Sequence, residues 1–177
     1  MKPKNVLVLL GSVNDWKKVK HIFETLEWGL SIEVKAFSCH FHPAKIRKLG
    51  QLIAYADAKT YDLVICVGGL ALALPGILDA WIRFYGGFVP VAGVALGEPG
   101  TRELLAAQYS IEYIPNNPLV LTPEGHAYTG PDGLQWLLES FQLGNLSIVL
   151  KERPDKPFGE DIWHNCPDDE VLRLPEE

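Results

Sequence analysis

Two periods alternate along the chain. Residues 6–10 (Val-Leu-Val-Leu-Leu) form a short, wholly apolar run of the kind found in central parallel strands. From residue 14 to 28, Trp16, Val19, Ile22, Phe23 and Leu26 recur at helical spacing. Residues 31–37 alternate as a second strand. Pro43 suits the first turn of a helix, which the pattern carries to about Ala56 with Ile46, Leu49, Leu52 and Ile53 on one face. Residues 63–67 read as a third strand, residues 74–85 as a helix entered through Pro75, and residues 89–95 as a fourth strand. Further on, the pattern predicts a short helix over 101–109 and a fifth strand over 119–122. Gly130-Pro131-Asp132 opens a last helix carrying Leu134, Trp136, Leu137, Leu138 and Phe141.

Apolar strands joined by helices predict a three-layer α/β/α sandwich with a mainly parallel central sheet, flavodoxin-like or Rossmann-like in kind. The chain of 177 residues fits one domain, taken as residues 1–150. Residues 151–177 hold four prolines, nine acidic and four basic side chains without a period, and read as an acidic tail. The net charge of -6 therefore sits mostly in that tail, and an acidic chain gains nothing from neutralising phosphates. Nucleic acid is excluded as a general partner on that ground. The longest apolar run, residues 63–78, is broken by Gly68, Gly69, Pro75 and Gly76 and is too short to span a bilayer comfortably, so no membrane partner is expected. The first apolar run reads as a strand and not as a signal peptide. Three cysteines, at 39, 66 and 166, share no repeated spacing. A disulfide framework is not expected, and reduced thiols suit a cytoplasmic protein.

In parallel sheets ligands bind outside the carboxyl ends of the strands, so the loops after the first three strands carry the candidate chemistry. The first is Gly11-Ser12-Val13-Asn14-Asp15. Backbone N–H groups at a helix start attract anions, Ser12 can donate to a phosphate oxygen, and Asp15 can accept from ribose hydroxyls. Ordinary helix capping by Ser12, Asn14 or Asp15 accounts for the same residues. The second is Ser38-Cys39-His40-Phe41-His42-Pro43, where a histidine at a strand end is placed for proton transfer near neutral pH. Three alternatives stand beside it: a metal on His40, His42 and Cys39, for which no further ligand cluster has familiar spacing; a Cys39 nucleophile activated by His40; and a histidine capping the next helix. The third loop runs from Gly68 and Gly69 to Pro75 and Gly76. It has no titratable side chain, so it can wall a pocket but not move a proton; tight packing of helix on sheet accounts for it equally.

Together the three loops resemble the PurE family of purine biosynthesis, the carboxyaminoimidazole ribonucleotide mutases and aminoimidazole ribonucleotide carboxylases. The family's Gly-Ser-x-Ser-Asp stands here as Gly11-Ser12-Val13-Asn14-Asp15. Its Ser-Ala-His-Arg-x-Pro stands as Ser38-Cys39-His40-Phe41-His42-Pro43, and its Gly-Gly-Ala-Ala-His-Leu-Pro-Gly ends in Leu72-Ala73-Leu74-Pro75-Gly76. Tyr109-Ser110-Ile111 leading to Pro115 also matches, and the similarity spans roughly residues 4–142. The resemblance implies a homo-octamer acting on a small ribonucleotide, with carbon dioxide or bicarbonate as the second reactant and no metal or organic cofactor. It implies a carboxylate moved from the exocyclic nitrogen to a ring carbon, through carbon dioxide released and recaptured, with His40 as acid and base. Ser12 and Ser38 would hold phosphate and Asp15 the ribose. Cys39, Phe41 and His42 would border the substrate, and Gly68, Gly69, Leu70, Ala71, Ala73 and Leu74 would wall it. Trp81, Phe84, Tyr85, Trp136 and Phe141 are the candidates for facing neighbouring subunits.

The chain departs from the family pattern at two functional positions. Phe41 replaces a basic residue that can pair with phosphate, and Ala73 replaces a histidine. Leu70 and Leu72 are also bulkier than the pattern's small residues. Two other functions fit these changes: a carboxylase or decarboxylase with a shifted substrate, and a non-catalytic binding or assembly subunit.

Overall fold

The computed structural model describes residues 3–25, 29–55, 61–114, 118–146 and 148. Strands and helices alternate as β1 (Lys4–Leu10), α1 (Val13–Thr25), β2 (Leu30–Ala36), α2 (Pro43–Tyr55), β3 (Leu63–Gly68), α3 (Leu74–Phe84), β4 (Val91–Ala95), α4 (Arg102–Glu112), β5 (Tyr128–Thr129) and α5 (Gly130–Leu143). The strands pair in the order β2-β1-β3-β4-β5, and every pairing is parallel. This is the flavodoxin-like α/β/α sandwich that the alternation of periods predicts.

Side chains alternate across the sheet, so β1 feeds two cores. Leu7 and Leu9 pack with Ile46, Leu49 and Ile53 of α2, Leu78 and Ile82 of α3, and Ile111 of α4. Val6, Val8 and Leu10 pack on the other face with Val19 and Ile22 of α1 and Leu134, Leu137, Leu138 and Phe141 of α5. Helices cover both faces, which is why the run 6–10 has no polar position. Right-handed crossovers dictate this division. The chain moves one way from β1 to β2 and the opposite way from β2 onward, so α1 lies on one face and α2, α3 and α4 on the other. The reversal leaves a crevice at the carboxyl ends of β1 and β3, the usual place for a ligand in such sheets. There, pairing continues one residue past the strand: the Gly11 N–H donates to the Val67 carbonyl at 2.8 Å.

The later elements differ from the sequence pattern in detail. The strand expected over 119–122 is reduced to a single parallel bridge between Val120 and Ala92. The chain then leaves the sheet in a turn, with the Gly125 N–H bonded to the Thr122 carbonyl, and rejoins β4 as Tyr128–Thr129. Pro123 has no N–H to give a ladder and Gly125 sits at φ 87°, so this stretch turns instead of pairing. Strand β4 begins at Val91, after Pro90. Thr101 lies outside α4 as its N-cap, its Oγ1 accepting from the Leu104 N–H at 3.3 Å, and the helix runs on to Glu112. Phe141 is a core residue, not a surface one: it is buried among the α5 side chains, and Lys4 Nζ lies 4.8 Å above its ring. The expected end of the first helix beyond Thr25, Ala56, Pro115 and the tail over 151–177 lie outside the described residues. No helix among the described residues is long and apolar enough to cross a membrane.

Candidate active site

A cavity of about 470 Å³ opens where β1, β2 and β3 end. Its wall comes from all three loops: Gly11, Ser12, Asp15 and Lys18; Ser38, Cys39 and His40; and the seven residues from Gly68 to Leu74.

In the first loop Ser12 stands directly before α1. Its backbone N–H and its hydroxyl both donate to Asp15 Oδ2, at 2.9 and 2.8 Å. A carboxylate three residues inside a helix that reaches back to the N-cap N–H is half of a capping box. The capping role of this loop therefore holds, and it does not remove the residues from the cavity. It does fix their chemistry: with its hydroxyl hydrogen bond donated to Asp15, Ser12 faces a ligand with acceptor lone pairs. Asp15 is only 7% exposed and places a carboxylate in the wall.

In the second loop Ser38 Oγ accepts from the N–H groups of His40 and Phe41 at 3.3 and 3.4 Å, leaving its own proton to donate. The His42 carbonyl accepts from Lys45 and Ile46, so His42 opens α2. This turn sorts the side chains. Ser38, Cys39 and His40 line the cavity, whereas Phe41 and His42 do not. Phe41 is 84% exposed, and His42 meets the edge of the Phe37 ring with centroids 6.3 Å apart. The His40 imidazole is exposed and has no hydrogen-bond partner among the described residues, so the ring is available to a substrate. Burial pushes the Cys39 thiol above its ordinary pKa, although the N–H groups of Cys39 and His40 pull it the other way. The thiol therefore stays protonated at neutral pH, which disfavours Cys39 as the nucleophile. Among the described residues no three His, Cys, Asp or Glu side chains come together as a metal site.

The third loop supplies an apolar wall and one strained residue. Leu70 has φ 57°, the left-handed region, with its side chain 64% exposed. Counting back from Pro75-Gly76, the second glycine of the Gly-Gly motif falls on Leu70, so a leucine holds a glycine's conformation. Leu72 turns inward and is buried; a Cβ on Gly68 would stand 2.9 Å from its Cδ1. A left-handed φ costs a side-chain-bearing residue about 1–2 kcal/mol. Glycine returns up to about 1 kcal/mol of this through the entropy of the unfolded chain. Leu70→Gly is expected to stabilise the fold by a few tenths to about 1 kcal/mol over Leu70→Ala, which keeps the strained φ. Urea denaturation of the two variants measures the difference; equal stability would mean that the loop relaxes around Leu70.

Lys18 lines the cavity although none of the three loop motifs contains it. It lies one turn beyond Asp15 on the same face of α1, and three-residue spacing from Asp15 is the sequence signal that marks it. Arg47, one turn into α2, is engaged elsewhere: its Nε donates to the Tyr85 hydroxyl at 2.9 Å, and its guanidinium lies 5.3 Å from the Trp81 ring centroid.

A parallel α/β/α domain with a histidine, a capped carboxylate and a glycine-rich wall around one crevice defines a class of small-ligand site at the sheet's reversal point. The family model described as AIR carboxylase matches residues 5–122, from β1 through all three loops to the Val120 bridge. The chain belongs to this family, the PurE family that its loop motifs resemble. It is similar to the N5-carboxyaminoimidazole ribonucleotide mutase of Brucella melitensis biotype 1, with 31% identity over 96 residues. That match covers 52% of this chain and 56% of the relative, so the chain spans about half the length of the curated relative it matches.

Proposed function

We propose that the chain is an enzyme of purine biosynthesis that interconverts carboxyaminoimidazole ribonucleotide isomers, with direct carboxylation of aminoimidazole ribonucleotide as the related reaction. The observation that carries this reading is His40, exposed and unpartnered among the described residues at a cavity shared with Ser12, Asp15, Ser38 and the Gly68–Gly69 turn. The name of the similar protein, a mutase, favours the isomerisation. In that reaction the C–N bond to the carboxylate breaks, carbon dioxide departs and the exocyclic nitrogen takes a proton. The ring carbon then bonds carbon dioxide and gives up its proton. One imidazole can give a proton in the first transfer and take one in the second, ending as it began, which is the role we give His40. Leu70, Ala71, Leu72 and Leu74 suit the step between, because an apolar wall keeps water from released carbon dioxide. Ser38 has a proton to offer the substrate, and Asp15 accepts from ribose hydroxyls. The test is turnover of each isomer and of aminoimidazole ribonucleotide, with and without bicarbonate. Isomerisation without added bicarbonate supports the mutase; conversion that requires it supports the carboxylase; binding without turnover supports a non-catalytic subunit.

A second reading, the same chemistry on a shifted substrate, is favoured by Ala73 and the leucines in the wall, which make the cavity more apolar than the family motif does. In both readings the protein is cytoplasmic, with residues 1–150 as the working domain and 151–177 as its tail.

Assembly as an octamer belongs to the same proposal. Phe84 is 72% exposed and sits in a cluster of rings, with its centroid 5.6 Å from Trp81 and 5.1 Å from Tyr85, while Tyr55 lies 5.4 Å from Tyr85. Clustered exposed aromatics mark interaction surfaces. Phe84→Glu is expected to shift the protein to smaller species in light scattering while circular dichroism stays unchanged. A wild-type monomer at micromolar concentration would count heavily against the octamer.

A further inference from the structure

We propose that Lys18 is the residue that holds the phosphate of the substrate, an inference that rests on the ribonucleotide reading above and names the group it leaves open. The charge of the cavity wall calls for a cation. Asp15 brings a buried carboxylate to it, and the Ser12 hydroxyl already donates its hydrogen bond to that carboxylate. A phosphate monoester entering beside Asp15 meets like charge, so it needs a positive group close by.

Two basic residues at the start of α2 are engaged away from the cavity. Lys45 Nζ lies 5.4 Å from the Phe37 ring centroid, and Arg47 is bonded to Tyr85. Neither lines the cavity, and Phe41, where the family motif has its basic residue, turns out to solvent. Lys18 does line it, and it has no hydrogen-bond or ion-pair partner among the described residues. Its exposed position keeps the cost of desolvating the ammonium small. Its flexible stem lets the charge follow a phosphate that Asp15 keeps at a distance. An ammonium binds phosphate as a point charge without the fork of arginine, so the contact tolerates small differences in ligand position. In this arrangement α1 bears both selective groups of the sugar-phosphate half, Asp15 for hydroxyls and Lys18 for the phosphate one turn further on. His40 and the third loop are left for the ring.

The experiment is calorimetric binding of aminoimidazole ribonucleotide and of its dephosphorylated riboside to the full chain, as wild type, Lys18→Met and Lys18→Arg, at two salt concentrations. Wild type is expected to prefer the ribonucleotide by roughly 10-fold to 100-fold, the span of a charge-assisted bond. Lys18→Met should remove most of that ratio and leave the riboside affinity unchanged. Lys18→Arg should keep the ratio, and added salt should shrink it in every form that retains the charge. If Lys18→Met keeps the full ratio, the phosphate is held elsewhere: the proposal fails and the ribonucleotide reading stands. If wild type binds both compounds equally, the phosphate is not recognised and the proposal fails while binding of the ring and ribose survives. If neither compound binds, the ribonucleotide reading fails and takes this inference with it.

Discussion

His40→Asn is expected to lower turnover by about 100-fold to 10,000-fold while leaving the fold and the assembly unchanged, the usual loss for a positioned acid–base group. The reason for expecting an intact fold is local. The contact that shapes the second loop is made by the His40 backbone, whose N–H donates to Ser38 Oγ, and asparagine keeps it. The imidazole itself has no partner among the described residues, so its removal leaves no polar group stranded. Asparagine preserves polarity and approximate size but cannot take up and return a proton, so substrate binding should change far less than turnover. Steady-state kinetics, with circular dichroism and light scattering on the same samples, separates the two effects. His42→Asn is the comparison: that ring packs against Phe37 outside the cavity and should cost little activity. Unchanged turnover in His40→Asn would remove His40 from the mechanism.

The fold is most legible in the sequence where burial is two-sided. Strands β1, β3 and β4 lie under helices on both faces, and an unbroken apolar run between turn residues is what such a strand requires. The fifth strand is misplaced by the pattern because β4 meets it in two pieces, with the turn around Pro123 and Gly125 between them. Its pairing depends on where the chain leaves and returns, which local periodicity does not encode. The three loops are legible because strand ends in a parallel sheet converge by topology, whatever their residues.

Three features of the site lie beyond that logic. Phe41 and His42 are close to His40 in sequence, yet the turn closed by Ser38 Oγ sends only the residues up to His40 into the cavity. Lys18 falls outside the loop motif, but a helix returns a side chain to the same face after three or four residues. The left-handed φ of Leu70 is not written in the leucine itself; its trace in the sequence is the glycine that the family motif has at this place. For Ser12 and Asp15 the sequence offers capping or ligand binding as alternatives. In the structure one carboxylate caps α1 and lines the cavity, so capping is compatible with the ligand role we propose for it.

Gly69→Ala is expected to destabilise the fold by about 1–3 kcal/mol and to reduce kcat/KM by more than its stability loss alone would suggest. Gly69 does not need a glycine's backbone freedom, since its φ is not positive. Its requirement is space: a Cβ there would stand 2.8 Å from the Leu96 carbonyl oxygen. That oxygen belongs to a backbone that cannot retreat, because the Leu96 N–H donates to the Gly68 carbonyl at 2.8 Å and the Leu96 side chain is fully buried. The added methyl must therefore push the third loop away from Leu96, and with it Leu70 and Leu72, which line the same cavity as His40. A displacement near 1 Å of a positioning element costs on the order of 100-fold in rate. Gly68→Ala supplies the contrast. Its Cβ would meet Leu72 Cδ1 at 2.9 Å, the far end of a side chain that can rotate, so its stability cost should be smaller although the cavity loses the Leu72 seat. Urea denaturation and kcat/KM of both variants test the comparison. A Gly69→Ala protein as stable and as active as wild type would show that the third loop is not held against Leu96, and the rigid wall we assign to the cavity would have to be given up.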